Sequence, residues 1–131
     1  EDAVLPTRAH DEDAGLDLYA SEDVEYAANQ AVISVPTGVA IEVVDGYVGL
    51  VRDRSSVSKS GLKITAGVVD AGYTGEVGVV MLNLSGKAGK IVKGQKIAQM
   101  LVFAISTPRV REVTEFRPSA RGDKGFGSSG T

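Results

Sequence analysis

The sequence reads as an all-β domain, a sandwich or barrel, and three observations carry this. Short runs rich in valine and isoleucine recur along its 131 residues, and β-branched side chains fit a pleated, half-buried surface. Gly, Asp, Asn or Pro separates one run from the next, and the chain holds 16 glycines, the punctuation of a fold with many turns. No long stretch keeps a helical period. Strands are expected, in chain order, at Leu16–Tyr19, Ala31–Val35, Val39–Val43 and Val48–Val51. One helical turn is expected at Ser56–Ser60, stopped by Gly61. Further strands are expected at Val68–Val69, Val77–Leu82, Ile91–Val92, Ile97–Phe103 and Val110–Val113. The run Ile97–Phe103 is nearly all apolar, which suits a strand buried on both faces.

Length and composition bound the function. A chain of 131 residues makes one domain with a substantial core. Residues 1–120 are expected to form it, and residues 121–131 a separate glycine-rich arm. The net charge of −3 argues against binding long nucleic acid, which needs a basic surface. It leaves room for a small anionic ligand held by a few placed cations. With no Cys there is neither a disulfide framework nor a thiolate metal site. His10 is the only histidine, sits in a polar stretch and is expected to be solvated, which excludes His metal clusters and disfavours a Ser-His-Asp triad. No run reaches transmembrane length and no signal peptide is visible, so no membrane association is expected and the cytoplasm is the expected setting.

The arm itself is informative. Arg121-Gly122-Asp123-Lys124-Gly125-Phe126-Gly127-Ser128-Ser129-Gly130-Thr131 has no apolar periodicity and is expected to be mobile in the free chain. It carries the parts of a phosphate clamp: backbone N–H groups left open by glycine, serine hydroxyls and a guanidinium fork. Phe126 adds a flat face for stacking on a base. The spacing Gly125-x-Gly127-x-x-Gly130 matches a dinucleotide-binding pattern, but only Thr131 follows, and that pattern needs a helix there.

Four internal segments carry polar residues in apolar surroundings. Ala14-Gly15-Leu16-Asp17-Leu18 places an acid inside a strand, either as a turn cap or as a functional carboxylate. Arg54-Ser55-Ser56 brings a cation and two hydroxyls to the opening of the short helix. The serines fit an N-cap as well as an anion contact. Gly67-Val68-Val69-Asp70-Ala71-Gly72-Tyr73-x-Gly75 ends an apolar strand in an acid and presents a tyrosine three residues on. Such an aspartate either closes a β-turn or activates water opposite a phosphate. Gly94-Gln95-Lys96-Ile97-Ala98-Gln99 turns into the apolar strand, where Gln99 is either a satisfied core amide or a ligand contact. Acids, hydroxyls, Arg, Gln and glycine-rich loops, without His or Cys, fit hydrolysis of a metal-bound phosphoanhydride.

Taken in order with the arm, these five segments resemble the motifs of the trimeric deoxyuridine triphosphatases (dUTPases), from Ala14 to Gly130. The resemblance implies a distorted jelly-roll β-sandwich, assembled as a homotrimer, that hydrolyses dUTP to dUMP and pyrophosphate by water attack on the α-phosphorus. That reaction limits uracil incorporation into DNA and supplies dUMP. By motif match, Asp70 is the base that orients water, and Tyr73 lies under the deoxyribose and excludes a ribose 2′-OH. A hairpin around Thr65-Ala66-Gly67 reads uracil through backbone groups. Ser55 and Gln99 hold phosphates, with Ser56 beside them, and Arg54 pairs with Asp70. Asp17 holds water on Mg²⁺, whose direct ligands come from the phosphates. In the arm, Phe126 stacks on uracil, Arg121 binds the γ-phosphate, and Gly127, Ser128 and Ser129 close on the phosphate chain. Each site is expected to draw on three subunits. Lys124 departs from the glycine that many members carry there.

Three rivals are weaker. The dCTP deaminases resemble dUTPases but place a catalytic Glu ten residues after the motif Asp, where this chain has Val80. A dUTP-binding regulatory module does not need a complete acid, Tyr and arm, although a second role through a protein partner stays open. A purely structural subunit has no use for Arg121 and Phe126 in a glycine-rich tail.

Overall fold

The computed structural model of the chain describes residues 3–119 and Gly122. It is all-β apart from one short helix: β1 (Leu16–Tyr19), β2 (Val24–Tyr26), β3 (Val32–Val35), β4 (Tyr47–Arg52), α1 (Ser55–Lys59), β5 (Leu62–Thr65), β6 (Val68–Val69), β7 (Val79–Asn83), β8 (Gly89–Ile91) and β9 (Lys96–Ala104). A four-stranded sheet runs β1-β9-β4-β6, a three-stranded sheet runs β3-β7-β5, and β2 pairs with β8 as a ribbon. Every pairing is antiparallel. One hydrophobic cluster joins them. Leu18, Val51, Val69 and Met100 come from the first sheet; Ile33, Ile64, Val79 and Met81 from the second; Ile91 from the ribbon and Val57 from α1. The architecture is the expected jelly-roll sandwich.

Two expected strands are absent from the ladders. Val39 and Val43 are buried, but the segment between them touches a neighbour only through an Ala40–Glu76 bridge. Thr37 and Glu76 explain this. Thr37 donates its hydroxyl to the Val77 carbonyl at 2.7 Å, and the N–H groups of Thr37 and Gly38 donate to Glu76 Oε1 at 2.8 and 2.7 Å. Side chains thus satisfy backbone groups that a ladder would otherwise use. Val110–Val113 forms no strand and its valines are exposed, because nothing described packs on it. β9 also differs from expectation. Ile97, Ala98 and Met100 are buried, but Val102 and Phe103 are each 46% exposed, beside exposed Tyr47 and Ile105.

The helix starts one residue early, at Ser55. Its N-cap is Arg54 in an extended conformation, with no side-chain cap hydrogen bond. Ser55 and Ser56 therefore occupy the first turn and are not caps. Gly61, at φ 85°, ends the helix in the left-handed region that favours glycine.

Candidate functional site

Strand register builds the first half of the site. Asp17 on β1 pairs with Gln99 on β9, and Gln99 pairs with Arg52 on β4. These three residues form one row across the sheet. Just past β4 the chain turns into α1, and Asp53 fixes that turn. Its Oδ1 accepts the Ile64 N–H at 2.7 Å, its Oδ2 pairs with Lys63, and its carbonyl accepts Gln99 Nε2 at 2.8 Å. Gln99 is thus a satisfied amide and also a wall of the cleft described below; the two readings are compatible. Gly15 lies flat on Gln99, and a Cβ at that position would run into Oε1.

The turn aims Arg54 back over β1. Its Nη1 lies 3.0 Å from Asp17 Oδ1, while Lys96 Nζ lies 2.8 Å from Asp17 Oδ2. Nη1 is buried and makes this ion contact without a hydrogen bond of good geometry. Arg54, Ser55, Ser56, Asp17, Gly15 and Gln99 surround an open cleft of ≈ 470 Å³. Its surface offers a guanidinium, two hydroxyls and two carboxylates, Asp13 beside His10 and Asp17 already shielded by two cations. That is a donor-rich setting for a polyanion.

Two titrating groups bear on this half. The Asp17 hydrogen bond holds Lys96 above the ordinary lysine range. Burial raises the Asp53 pKa, but the Lys63 and Ile64 hydrogen bonds outweigh it, and the carboxyl stays below its usual 3.8. A depressed folded pKa means the stabilisation is present above the unfolded value and lost as pH falls through the folded one. Asp53→Asn is therefore expected to lower the Tm by a few degrees at pH 7, with the gap from wild type closing in strong acid. Thermal melts of both proteins across pH check this; a gap constant with pH contradicts it.

The second half lies elsewhere on the chain. After β5 the backbone turns through Ala66 (φ 58°) and Gly67 (φ 96°). Ala66 in the left-handed region stores strain of a kind often kept at functional sites. At Gly67 a Cβ would sit 2.7 Å from the Val51 carbonyl oxygen, so only glycine fits the approach. The Gly67 carbonyl accepts the Val51 N–H at 2.8 Å. The expected uracil hairpin is not a paired hairpin, because β5 belongs to the three-stranded sheet and β6 to the four-stranded one. The turn from Thr65 to Gly67 passes between sheets. Asp70 follows β6 directly and is exposed, and the Tyr73 N–H donates to the Asp70 carbonyl at 3.0 Å. Tyr73 is 44% exposed, and its hydroxyl donates to the Glu76 carbonyl at 2.7 Å. Its ring covers Gly75, where a Cβ would meet the hydroxyl oxygen at 2.6 Å.

Register keeps the halves apart. Val69 pairs with Gly49, which sets Asp70 level with Val48, whereas Gln99 is level with Arg52. Four residues along a strand span roughly 13 Å, before the offset between strands is added. Arg54 therefore pairs with Asp17 and not, within this chain, with Asp70 as expected. Neither Asp70 nor Tyr73 lines the cleft. Arg121, Phe126, Gly127, Ser128 and Ser129 lie outside the described residues.

Among the described residues no group of three or more His, Cys, Asp or Glu could hold a metal ion. Both Asp17 oxygens already face cations. This donor set does not make a protein cage for Mg²⁺; it fits a cation carried in on phosphate oxygens. No described helix is long and apolar enough to cross a membrane.

Fold and cleft together define an all-β sandwich protein with an open polar cleft at one end of its four-stranded sheet. Residues 1–130 match the dUTPase family, and the chain belongs to it. It is 46% identical to the deoxyuridine 5'-triphosphate nucleotidohydrolase of Mycolicibacterium vanbaalenii, over 98% of this chain and 89% of the relative. Its identity to the Mycobacterium tuberculosis enzyme is also 46%, over 96% of this chain and 87% of that one. Among solved structures, a variant of the Staphylococcus bacteriophage 80alpha dUTPase with dUpNHpp aligns with a TM-score of 0.88 and 34% identity, covering 100% of this chain and 94% of that one. A variant of the dUTPase from phage phi11 of S. aureus, which coordinates a structural Mg(II) ion, aligns with a TM-score of 0.79 and 32% identity, covering 88% of this chain and 93% of that one.

Proposed function

We propose that the chain hydrolyses dUTP to dUMP and pyrophosphate, in the cytoplasm, by water attack on the α-phosphorus. The observation that carries this is the gathering of Arg54, Ser55, Ser56 and Gln99 around one cleft in a chain of this family. Ser55 and Ser56 present hydroxyls from the first turn of α1, and Arg54 supplies charge. Asp70 accepts the proton of the attacking water, and Tyr73 packs under the deoxyribose. The strained Ala66-Gly67 turn offers backbone groups to the uracil edge. Arg121, Phe126, Gly127, Ser128 and Ser129 close over the base and phosphates. Mg²⁺, when bound through the phosphates and a water held by Asp17, neutralises their charge.

The active assembly in this proposal is a homotrimer. One chain carries its site in separated pieces, and the outer half of β9 leaves Val102 and Phe103 exposed beside Tyr47. Burying that apolar face against a second chain favours association.

Pyrophosphate release from dUTP, dTTP, dCTP and UTP tests the activity. Turnover of dUTP is expected to exceed the others by at least about a hundredfold in kcat/KM, because groups set to pair with one base edge stay unsatisfied by another. Comparable turnover of dCTP or dTTP would sink the reading.

A further inference from the structure

An irregularity in the β1–β9 ladder singles out Lys96. Leu18 pairs with Ala98, yet Tyr19 pairs with Lys96, so Ile97 is an extra residue in the step. Ile97 and Ala98 are both fully buried. Plain alternation would put Lys96 on the core side with Ala98 and Met100. The bulge returns it to the outer face, with Asp17 and Tyr19, and re-aiming a side chain beside a site is a known use of bulges. There Nζ lies 2.8 Å from Asp17 Oδ2 and 5.8 Å from the centroid of the Tyr19 ring. Lys96 is not among the residues lining the cleft, and lines instead, with Arg54 and Ser56, an adjoining cavity of ≈ 340 Å³.

We propose that Lys96 is a positioning residue that keeps Arg54 available to phosphate by occupying the second oxygen of Asp17. A carboxylate with both oxygens open prefers a two-pronged pairing with a guanidinium. Lys96 blocks that pairing, so Arg54 meets Asp17 through Nη1 alone. The inference rests on reading the cleft as a polyphosphate site.

Lys96→Met keeps a long unbranched side chain and removes the charge. The KM for dUTP is expected to rise about tenfold, the scale of one lost charge-assisted contact, with kcat within about twofold of wild type. Calorimetric Kd for inorganic tripolyphosphate should rise in parallel. Lys96→Arg, which restores the charge, should recover KM to within about threefold. In an Asp17→Asn background, Lys96→Met should lose most of its effect, because no carboxylate then competes for Arg54. A folded Lys96→Met protein with unchanged KM and Kd overturns the proposal. So does the same tenfold loss persisting beside Asp17→Asn, which would mean Lys96 touches the ligand. If Lys96→Met does not fold, Lys96→Gln carries the same comparison. A wild-type protein that binds tripolyphosphate without hydrolysing dUTP would sink the activity reading alone, and Lys96 would then stand or fall on Kd.

Discussion

Asp70→Asn is expected to keep nucleotide binding and to lose about 10²–10⁴-fold in kcat, the usual contribution of a general base. The substitution is nearly isosteric and removes only the proton acceptor. Asp70 is exposed at the end of β6, and its backbone carbonyl, not its side chain, closes the turn to Tyr73. The turn should therefore survive the change, and Tm should stay within a few degrees of wild type. The same exposure makes the alternative testable. If Asp70 only shapes the loop, Asn serves as well, since Asn and Asp are both favoured in turns. Single-turnover rates with dUTP, together with the Kd for dUpNHpp, separate the two. A variant with kcat within a factor of a few of wild type would remove Asp70 from the chemistry.

The sequence showed the parts of this site more clearly than their partnerships. β1 and β6 fall where apolar runs between turn residues place them. β2 is three residues long with a central Glu25, too brief for periodicity to register. β5 does alternate, with Leu62 and Ile64 inward and Lys63 outward, but only Ser60 and Gly61 separate it from the helix. Val39–Val43 and Val110–Val113 show the opposite failure: valine content without a ladder partner. In the site, Asp17, Arg54 and Gln99 stand out by type, yet the pairing of Arg54 with Asp17 depends on the register of β1, β9 and β4. Local sequence does not encode that register. Asp53 and Lys96 went unnoticed because a charged residue beside a strand end normally faces water. Only the Ile64 N–H under Asp53, and the bulge behind Lys96, give them work.

Removing Arg121–Thr131 is expected to spare the fold and to cut kcat/KM by at least about a hundredfold, since base stacking and charge-assisted phosphate contacts are each worth about 1–3 kcal/mol. Every buried hydrophobic residue of the described core lies between Leu18 and Met100, so the truncation reaches none of them. The more demanding test mixes this truncated protein with Asp70→Asn, each nearly inactive alone. On one chain strand register holds Asp70 away from the Arg54 cleft, and in the proposed trimer neighbouring subunits bring the two together. If the arm also comes from a different subunit than Asp70, equal co-refolding into random trimers gives both intact parts to about a quarter of the sites. Activity should then recover to about a quarter of wild type per site, far above either parent. If Asp70 and the arm serve the same site from one chain, every such site lacks one part and mixing restores nothing. Mixed trimers confirmed by native mass spectrometry, yet inactive, would show that the arm and Asp70 act from the same chain.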